Sequence, residues 1–423
     1  MKKITFMIAG TSSGVGKTTV TQGILSLFVK NGYNVRSFKL GPDYIDSGYH
    51  EKITGKPCIN LDKFLLTPVG EEVSQIEIIK EQFNLYASDS DALIIEAVGG
   101  LFDDWHKDGN SPYQIAIELG VPVVLVADGY ASCQTLGIML NSLFEYNSEL
   151  DLAGIIINRV CSEQHFERII ETVKTKYKKR IIGYLLNSKE LFINERYLGL
   201  TTVPEIKNIK EHIDNLAKTF NKTLSIDSFI GLTKHFTTET SKTVGVQIKK
   251  CCKIAVAKDK AFSFYYGYNL DYLRQLGAEI MYFSPLNDSK LPNGTNAVYL
   301  GGGFPEVYAS KLSKNKSLLT DIKEKINNGM PLYAECGGLI YLGDTIIEFE
   351  TGINSKTVGV FPFDAYVDSK LTLAYVLGKI TKNCLIGKEG DSFKGHVFHQ
   401  SKVKEKNRLK KHLILPNLIL IIL

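Results

Sequence analysis

Short apolar runs punctuate the first half of this chain at Ile4–Ala9, Ala92–Glu96, Val123–Ala127 and Gly154–Asn158, with a further strand, mixed in polarity, at Val35–Leu40 and helix-period stretches between them. Continuous apolar runs of this length, closed by turn residues, read as strands buried on both faces. Their alternation with helices predicts a parallel sheet covered by helices. The helical pattern continues to about Phe220, and residues 221–252 are rich in Thr, Ser and Lys without sustained periodicity, which reads as a linker. The pattern then resumes with strands at Lys253–Ala257, Glu279–Phe283, Ala297–Leu300 and Pro331–Glu335 and a helix over Asn269–Leu276, a second α/β domain. The expected organisation is therefore a domain over 1–220, a linker over 221–252, a domain over 253–401 and a tail over 402–423.

The first strand runs into Gly10-Thr11-Ser12-Ser13-Gly14-Val15-Gly16-Lys17-Thr18-Thr19, which opens a helix. A strand, a glycine-rich turn and a helix N-terminus make a phosphate cradle, because backbone N–H groups and the helix dipole both face the anion. The candidate nucleotide-binding residues are Gly14, Gly16, Lys17, Thr18 and Thr19, with Lys17 reaching the β- and γ-phosphates and the Thr18 hydroxyl a ligand for Mg²⁺. The usual G-x-x-x-x-G-K-[ST] pattern would place its first glycine at Thr11, and here the glycine stands one residue earlier, at Gly10.

Other chemistry falls at strand ends, where ligands bind in open α/β sheets. Asp43 and Asp46 follow the second strand and offer oxygen to Mg²⁺, or cap the next helix. Glu96 ends the third strand, as the acid of a Walker-B strand does. The amide of Asn158, at the end of the fifth, could read a nucleobase edge. In the second half, Gly301-Gly302-Gly303 follows a strand, so its backbone N–H groups could face an oxyanion. Cys336 stands between a strand and Gly337, the arrangement of a nucleophile elbow in which a helix N-terminus draws the thiol toward the thiolate. Gly302, Gly303 and Gly337 are the candidate oxyanion donors. His396 and His399 are both candidate bases; on one strand they face opposite sides, and periodicity does not choose between them.

Composition adds little to this picture. The chain has 423 residues, 44% hydrophobic and 22% charged, with a formal net charge of +5 carried by dispersed basic residues. That argues against nucleic acid and suits an anionic substrate. Seven cysteines without a C-x-x-C pair, a first strand at the very start, and no run of about 18 apolar residues predict a reduced cytoplasmic protein that does not enter a membrane.

Taken in order, GTSSGVGKTT, FKLGPDYID, IIEAVGGLFD, VVLVADG and IIINRVCSEQH resemble the cobyrinic acid a,c-diamide synthase family, whose amino-terminal fold is shared with dethiobiotin synthetase. GGGFPE, ECGG and GHVFHQS resemble the class I glutamine amidotransferase domain attached to it. The resemblance implies a P-loop NTPase-type parallel-sheet domain followed by a class I glutamine amidotransferase-like α/β domain. It implies ATP with Mg²⁺ at Thr18, Asp46 and Glu96, and a carboxylate substrate and its intermediate at Asp43 and Asp103. Asn158 would meet the adenine, and Cys336 would act with His399. The implied partners are a corrinoid polycarboxylate, ATP and glutamine, and a homodimer is the assembly to consider. The same chemistry on hydrogenobyrinic acid or nickel sirohydrochlorin is the nearest alternative. A partition-type ATPase would carry a lysine where this chain has Ser12. The resemblance stops near Ser401, so a truncated or frame-altered tail, with an incomplete shell around His399, is the expectation for residues 402–423.

Overall fold

The computed structural model describes residues 3–70, 74–104, 111–188, 195–196, 199–200, 209–232, 249–348, 351–406 and 418–420. The chain divides into two compact units, Met1–Thr67 with Glu72–Val244 and Pro68–Glu71 with Gly245–Leu423.

The first unit is built on a sheet of seven strands: β1 (Ile4–Gly10), β2 (Val35–Leu40), β3 (Ile59–Leu61), β4 (Ala92–Glu96), β5 (Val123–Asp128), β6 (Leu152–Val160) and β7 (Ile181–Leu186). Their order is β3-β2-β4-β1-β5-β6-β7, and every pairing is parallel. Central parallel strands are covered on both faces, which is why they read as unbroken apolar runs. The chain moves from β1 outward to β2 and returns to lay β4 between them. The carboxyl ends of β1, β2 and β4 are therefore neighbours, the position at which such sheets bind ligands. Helix α1 (Lys17–Lys30) follows β1 and α2 (Ile45–Thr54) follows β2.

Helix α3 (Ile209–Phe220) packs on α1, with Lys30 paired to Asp214 at 2.7 Å. The contact is close: a side chain at Gly23 would meet the Phe220 ring at 2.3 Å. Residues 221–232, read from sequence as the start of a linker, continue this unit. Helix α4 (Ile226–Leu232) carries Phe229, which is fully buried and stacks on Phe6 at 5.5 Å and edge-on to Phe28 at 6.0 Å. Leu224, Ile226, Phe229 and Leu232 form too short a run among Asn, Lys, Thr and Ser to show as sustained periodicity, yet they close the core. The rest of the expected linker up to residue 248 lies outside the described residues.

In the second unit β8 (Cys252–Ala257), β9 (Ala278–Phe283), β10 (Ala297–Leu300), β11 (Leu332–Ala334) and β12 (Leu418–Leu420) form a parallel sheet in the order β9-β8-β10-β11-β12. Phe262 is fully buried, and Phe264 and Tyr266 nearly so, which makes this aromatic cluster core. A mixed sheet beside it contains the long hairpin of Phe363–Lys379 and Ser392–Glu405, on which the GHVFH motif lies. Residues 402–405 of the expected tail continue that hairpin, and residues 407–417 and 421–423 lie outside the described residues. Among the described residues, no helix is long and apolar enough to cross a membrane, and all seven cysteines are free.

Replacing Phe229 by Ala should cost about 3–5 kcal/mol, as deletion of a core aromatic does. The check is the urea midpoint of the first unit's unfolding transition; a loss under about 1 kcal/mol would mean that α4 does not close this core.

Candidate active sites

The site of the first unit starts from the loop after β1. Gly14 and Gly16 have φ of 78° and 89°, a region closed to most side chains. The displaced glycine has a steric reason: a Cβ at Gly10 would lie 2.7 Å from Val15 Cγ2 and 2.9 Å from the Ser12 carbonyl. Gly10 does the work of the motif's first glycine from the last position of the strand. Lys17 donates to the Ser12 carbonyl at 3.2 Å, and burial followed by the nearby Lys39 lowers its pKa.

Thr18, Asp46 and Glu96 meet in space. The Thr18 hydroxyl lies 3.1 Å from Asp46 Oδ2 and 3.0 Å from Glu96 Oε1. The ammonium of Lys39 sits between the same two carboxylates, at 2.5 Å from Asp46 Oδ2 and 2.8 Å from Glu96 Oε1. Lys39 is the functional candidate that sequence reasoning missed. Its signal was a lysine next to the end of a strand that runs into the Gly41-Pro42-Asp43 loop, and Lys39 and Glu96 are register partners on β2 and β4. Burial pushes the Asp46 carboxyl up to about 8, with Asp43 adding to the rise and Lys39 opposing it. Burial also acts against Glu96 ionisation, but Lys39 and His50 outweigh it and hold Glu96 well below the usual carboxylate range. One hydroxyl and two carboxylates are hard oxygen donors of the kind a small divalent cation takes, and the Lys39 ammonium shows that positive charge is accommodated there.

The remaining candidates surround this point. Asp43 Oδ1 accepts from the Ile45 and Asp46 N–H groups at 2.8 and 3.3 Å, so it does cap α2, while its Oδ2 stands 4.0 Å from Lys39 Nζ. Asp103 is exposed and accepts from the Gly100 N–H at 2.7 Å, on a loop where a side chain at Gly100 would lie 3.2 Å from Ser12 Cα. Thr19 lies in the first turn of α1. Asn158 is buried beneath the glycine loop and donates from Nδ2 to the Val15 carbonyl at 2.9 Å; a Cβ on Gly16 would fall 2.3 Å from that nitrogen. The next residue, Arg159, takes φ 58°, forks onto Asp128 and donates to the Gly14 carbonyl at 3.0 Å. These two side chains brace the loop from below.

In the second unit Cys336 takes φ 47° and ψ −116°, a strained conformation for a residue with a side chain. The backbone N–H groups of Gly337 and Gly303 both reach its sulfur. Gly303, at φ 156°, has no room for a Cβ, which would meet the Ala261 carbonyl at 2.1 Å. Gly302 lies beside Cys336, but its carbonyl is what the fold uses, accepting from Ser263 and Phe264 at 3.1 Å each. The expected lowering of the thiol pKa does not occur. Burial pushes it up to about 12 and the nearby Glu306 adds to the rise, against the pull of the two N–H groups. The helix behind the elbow, Gly337–Tyr341, is only five residues long and contributes little dipole. Cys336 nevertheless keeps solvent access.

His396 and His399 lie on one strand and face opposite ways. His396 stands between the rings of Tyr375 and Phe398, at 5.5 and 6.3 Å. His399 donates from Nδ1 to the Ser401 carbonyl at 2.8 Å, which leaves the basic lone pair on Nε2. The Ser401 hydroxyl in turn reaches Glu306 at 3.5 Å, and Glu306 acts electrostatically on Cys336.

Comparison with known proteins agrees with this division. Residues 6–200 match the family described as CobQ/CobB/MinD/ParA nucleotide binding domain, and residues 253–416 match the CobB/CobQ-like glutamine amidotransferase domain. The chain is 41% identical over 402 residues to the cobyrinate a,c-diamide synthase of Caldanaerobacter subterraneus subsp. tengcongensis, covering 94% of this chain and 86% of that one. It is 37% identical to the enzyme of that name from Streptococcus sanguinis, covering 94% and 86%, and 33% identical to that from Methanosarcina acetivorans, covering 94% and 84%.

Because burial raises the Cys336 thiol, its reactive thiolate should still be accumulating well above neutrality. Alkylation of Cys336 by iodoacetamide, followed by peptide mass spectrometry, should accelerate about tenfold per unit between about pH 7 and pH 10. A plateau below about pH 8.5 would show a thiol of ordinary acidity.

Proposed function

This chain belongs to the cobyrinate a,c-diamide synthase family, and from that premise we propose how its two sites divide one reaction. It is a glutamine-dependent, amide-forming ligase of cobalamin biosynthesis that uses ATP in its nucleotide-binding unit. The substrate in this reading is cobyrinic acid, amidated at its a and c acetate side chains.

The observation that carries the reading is the meeting of Thr18, Lys39, Asp46 and Glu96 beside Lys17 and the glycine loop. Phosphoryl transfer needs positioning and charge neutralisation more than covalent help. The loop amides hold the phosphates of ATP, and Lys17 and Lys39 face the transferred group. Mg²⁺, held by Thr18, Asp46 and Glu96, would add charge neutralisation at the β- and γ-phosphates. The acetate oxygen attacks the γ-phosphorus, ADP leaves, and an acyl phosphate forms. Asp43 and Asp103 orient the substrate and this intermediate, and Asn158 meets the adenine from beneath the loop. Ammonia then attacks the acyl carbon, and phosphate departs as the C–N bond forms.

In the second unit His399 Nε2 takes the Cys336 proton, and the thiolate attacks the glutamine carboxamide. The N–H groups of Gly303 and Gly337 lie next to the position of the resulting oxyanion, with Gly302 shaping the same turn. The intermediate collapses to a glutamyl thioester, and the proton held by His399 leaves with ammonia. Water, activated by the same histidine, then releases glutamate.

The test is product mass after incubation with cobyrinic acid, ATP, Mg²⁺ and glutamine: a diamide is expected, and turnover only of a cobalt-free tetrapyrrole would overturn the substrate. Cys336→Ser should cut glutamine-driven amidation by at least about 1,000-fold and leave ammonia-driven amidation within about twofold. Equal loss of both would remove Cys336 from the glutaminase role.

A further inference from the structure

Behind the charge cluster lies a buried pair that the mechanism above does not use. His50 and Cys58 are both buried, His50 completely. His50 stands four residues after Asp46 on α2, so the two side chains leave the helix from the same face. Its Nε2 meets Glu96 Oε2 at 2.7 Å, and its Nδ1 meets Cys58 Sγ at 3.4 Å. The other oxygen of the same carboxylate, Oε1, is the one shared with Thr18 and Lys39.

We propose that His50 is a positioning residue for Glu96, with Cys58 fixing its ring orientation. A glutamate side chain has three rotatable bonds, and nothing in a strand end by itself decides which oxygen faces the phosphate side. A donor on Oε2 fixes the carboxylate plane and turns Oε1 toward Thr18. That donor is Nε2–H, and the contact of Cys58 with Nδ1 holds the ring in the plane that aims Nε2 at the carboxylate. Carboxylates that bind metals are commonly held by such outer partners, and loss of one typically costs 10- to 100-fold in metal affinity. The inference rests on the reading of Glu96 as a cation ligand at the ATP site.

Mn²⁺ serves as the probe, its binding to the full chain with ATP measured by electron paramagnetic resonance. A fluorescent ATP analogue without metal reports nucleotide binding alone. His50→Leu should weaken Mn²⁺ by about 10- to 100-fold and leave metal-free nucleotide affinity within about twofold. His50→Gln keeps a donor for Oε2 and should recover most of the loss, and Cys58→Ala should show a smaller effect that Cys58→Ser reverses. Should the leucine variant fail to fold, the glutamine and Cys58 variants carry the test: equal Mn²⁺ affinity for Cys58→Ala and Cys58→Ser removes the orienting role of Cys58. Glu96→Gln separates the two ideas. If it weakens Mn²⁺ and His50→Leu does not, the positioning role fails alone. If Glu96→Gln leaves Mn²⁺ unchanged, the reading of Glu96 as a ligand fails, and the inference with it.

Discussion

The first unit depends on one buried cation. Lys39, nearly inaccessible, lies between Asp46 and Glu96 and beside Asp43. Without it, two desolvated carboxylates would face each other at the end of the sheet, and breaking such a buried arrangement costs roughly 3–5 kcal/mol. The geometry follows from strand register. Lys39 on β2 sits opposite Glu96 on β4, and Glu96 also pairs with Ile8 on β1, two residues before the loop glycine. A slip of one residue would turn Lys39 to the other face of the sheet. Register, buried charge and the phosphate loop are therefore one constraint.

The second unit handles its reactive group differently. At Cys336 it is the backbone that faces the sulfur: a strained φ and two N–H groups, with glycines where any side chain would collide. The thiol is not acidified at rest; burial and Glu306 keep it protonated.

The alternation of strands and helices, the phosphate loop and the elbow were legible because each is local. Five strands of the first sheet stand at or near their expected positions. The edge strands were not: β3 is three residues long, too short to be read alone, whereas β7 is an apolar run, Ile181–Leu186, that the sequence did signal and that went unread behind a basic stretch. Thr18, Asp46 and Glu96 were separate candidates from their positions at strand and helix ends, and the family resemblance joined them into one set. Lys39 and His50 escaped because their meaning lies in what they touch, which only the parallel register between β2 and β4 and the turn of α2 decide. The thiol shift ran opposite to expectation because local sequence shows a helix start but not the burial around it.

Phe229 bears on how the protein can be dissected. The family match of the nucleotide-binding half stops at residue 200, and the polar stretch after Phe220 looks like a natural place to cut. A fragment ending there would lose α4 and leave Phe6 and Phe28, which it covers, facing water. Two exposed aromatics over a parallel sheet are an invitation to self-association. The working boundary of an isolated synthetase half therefore lies beyond Leu232, and a fragment defined by motif alone would precipitate for reasons unrelated to its chemistry.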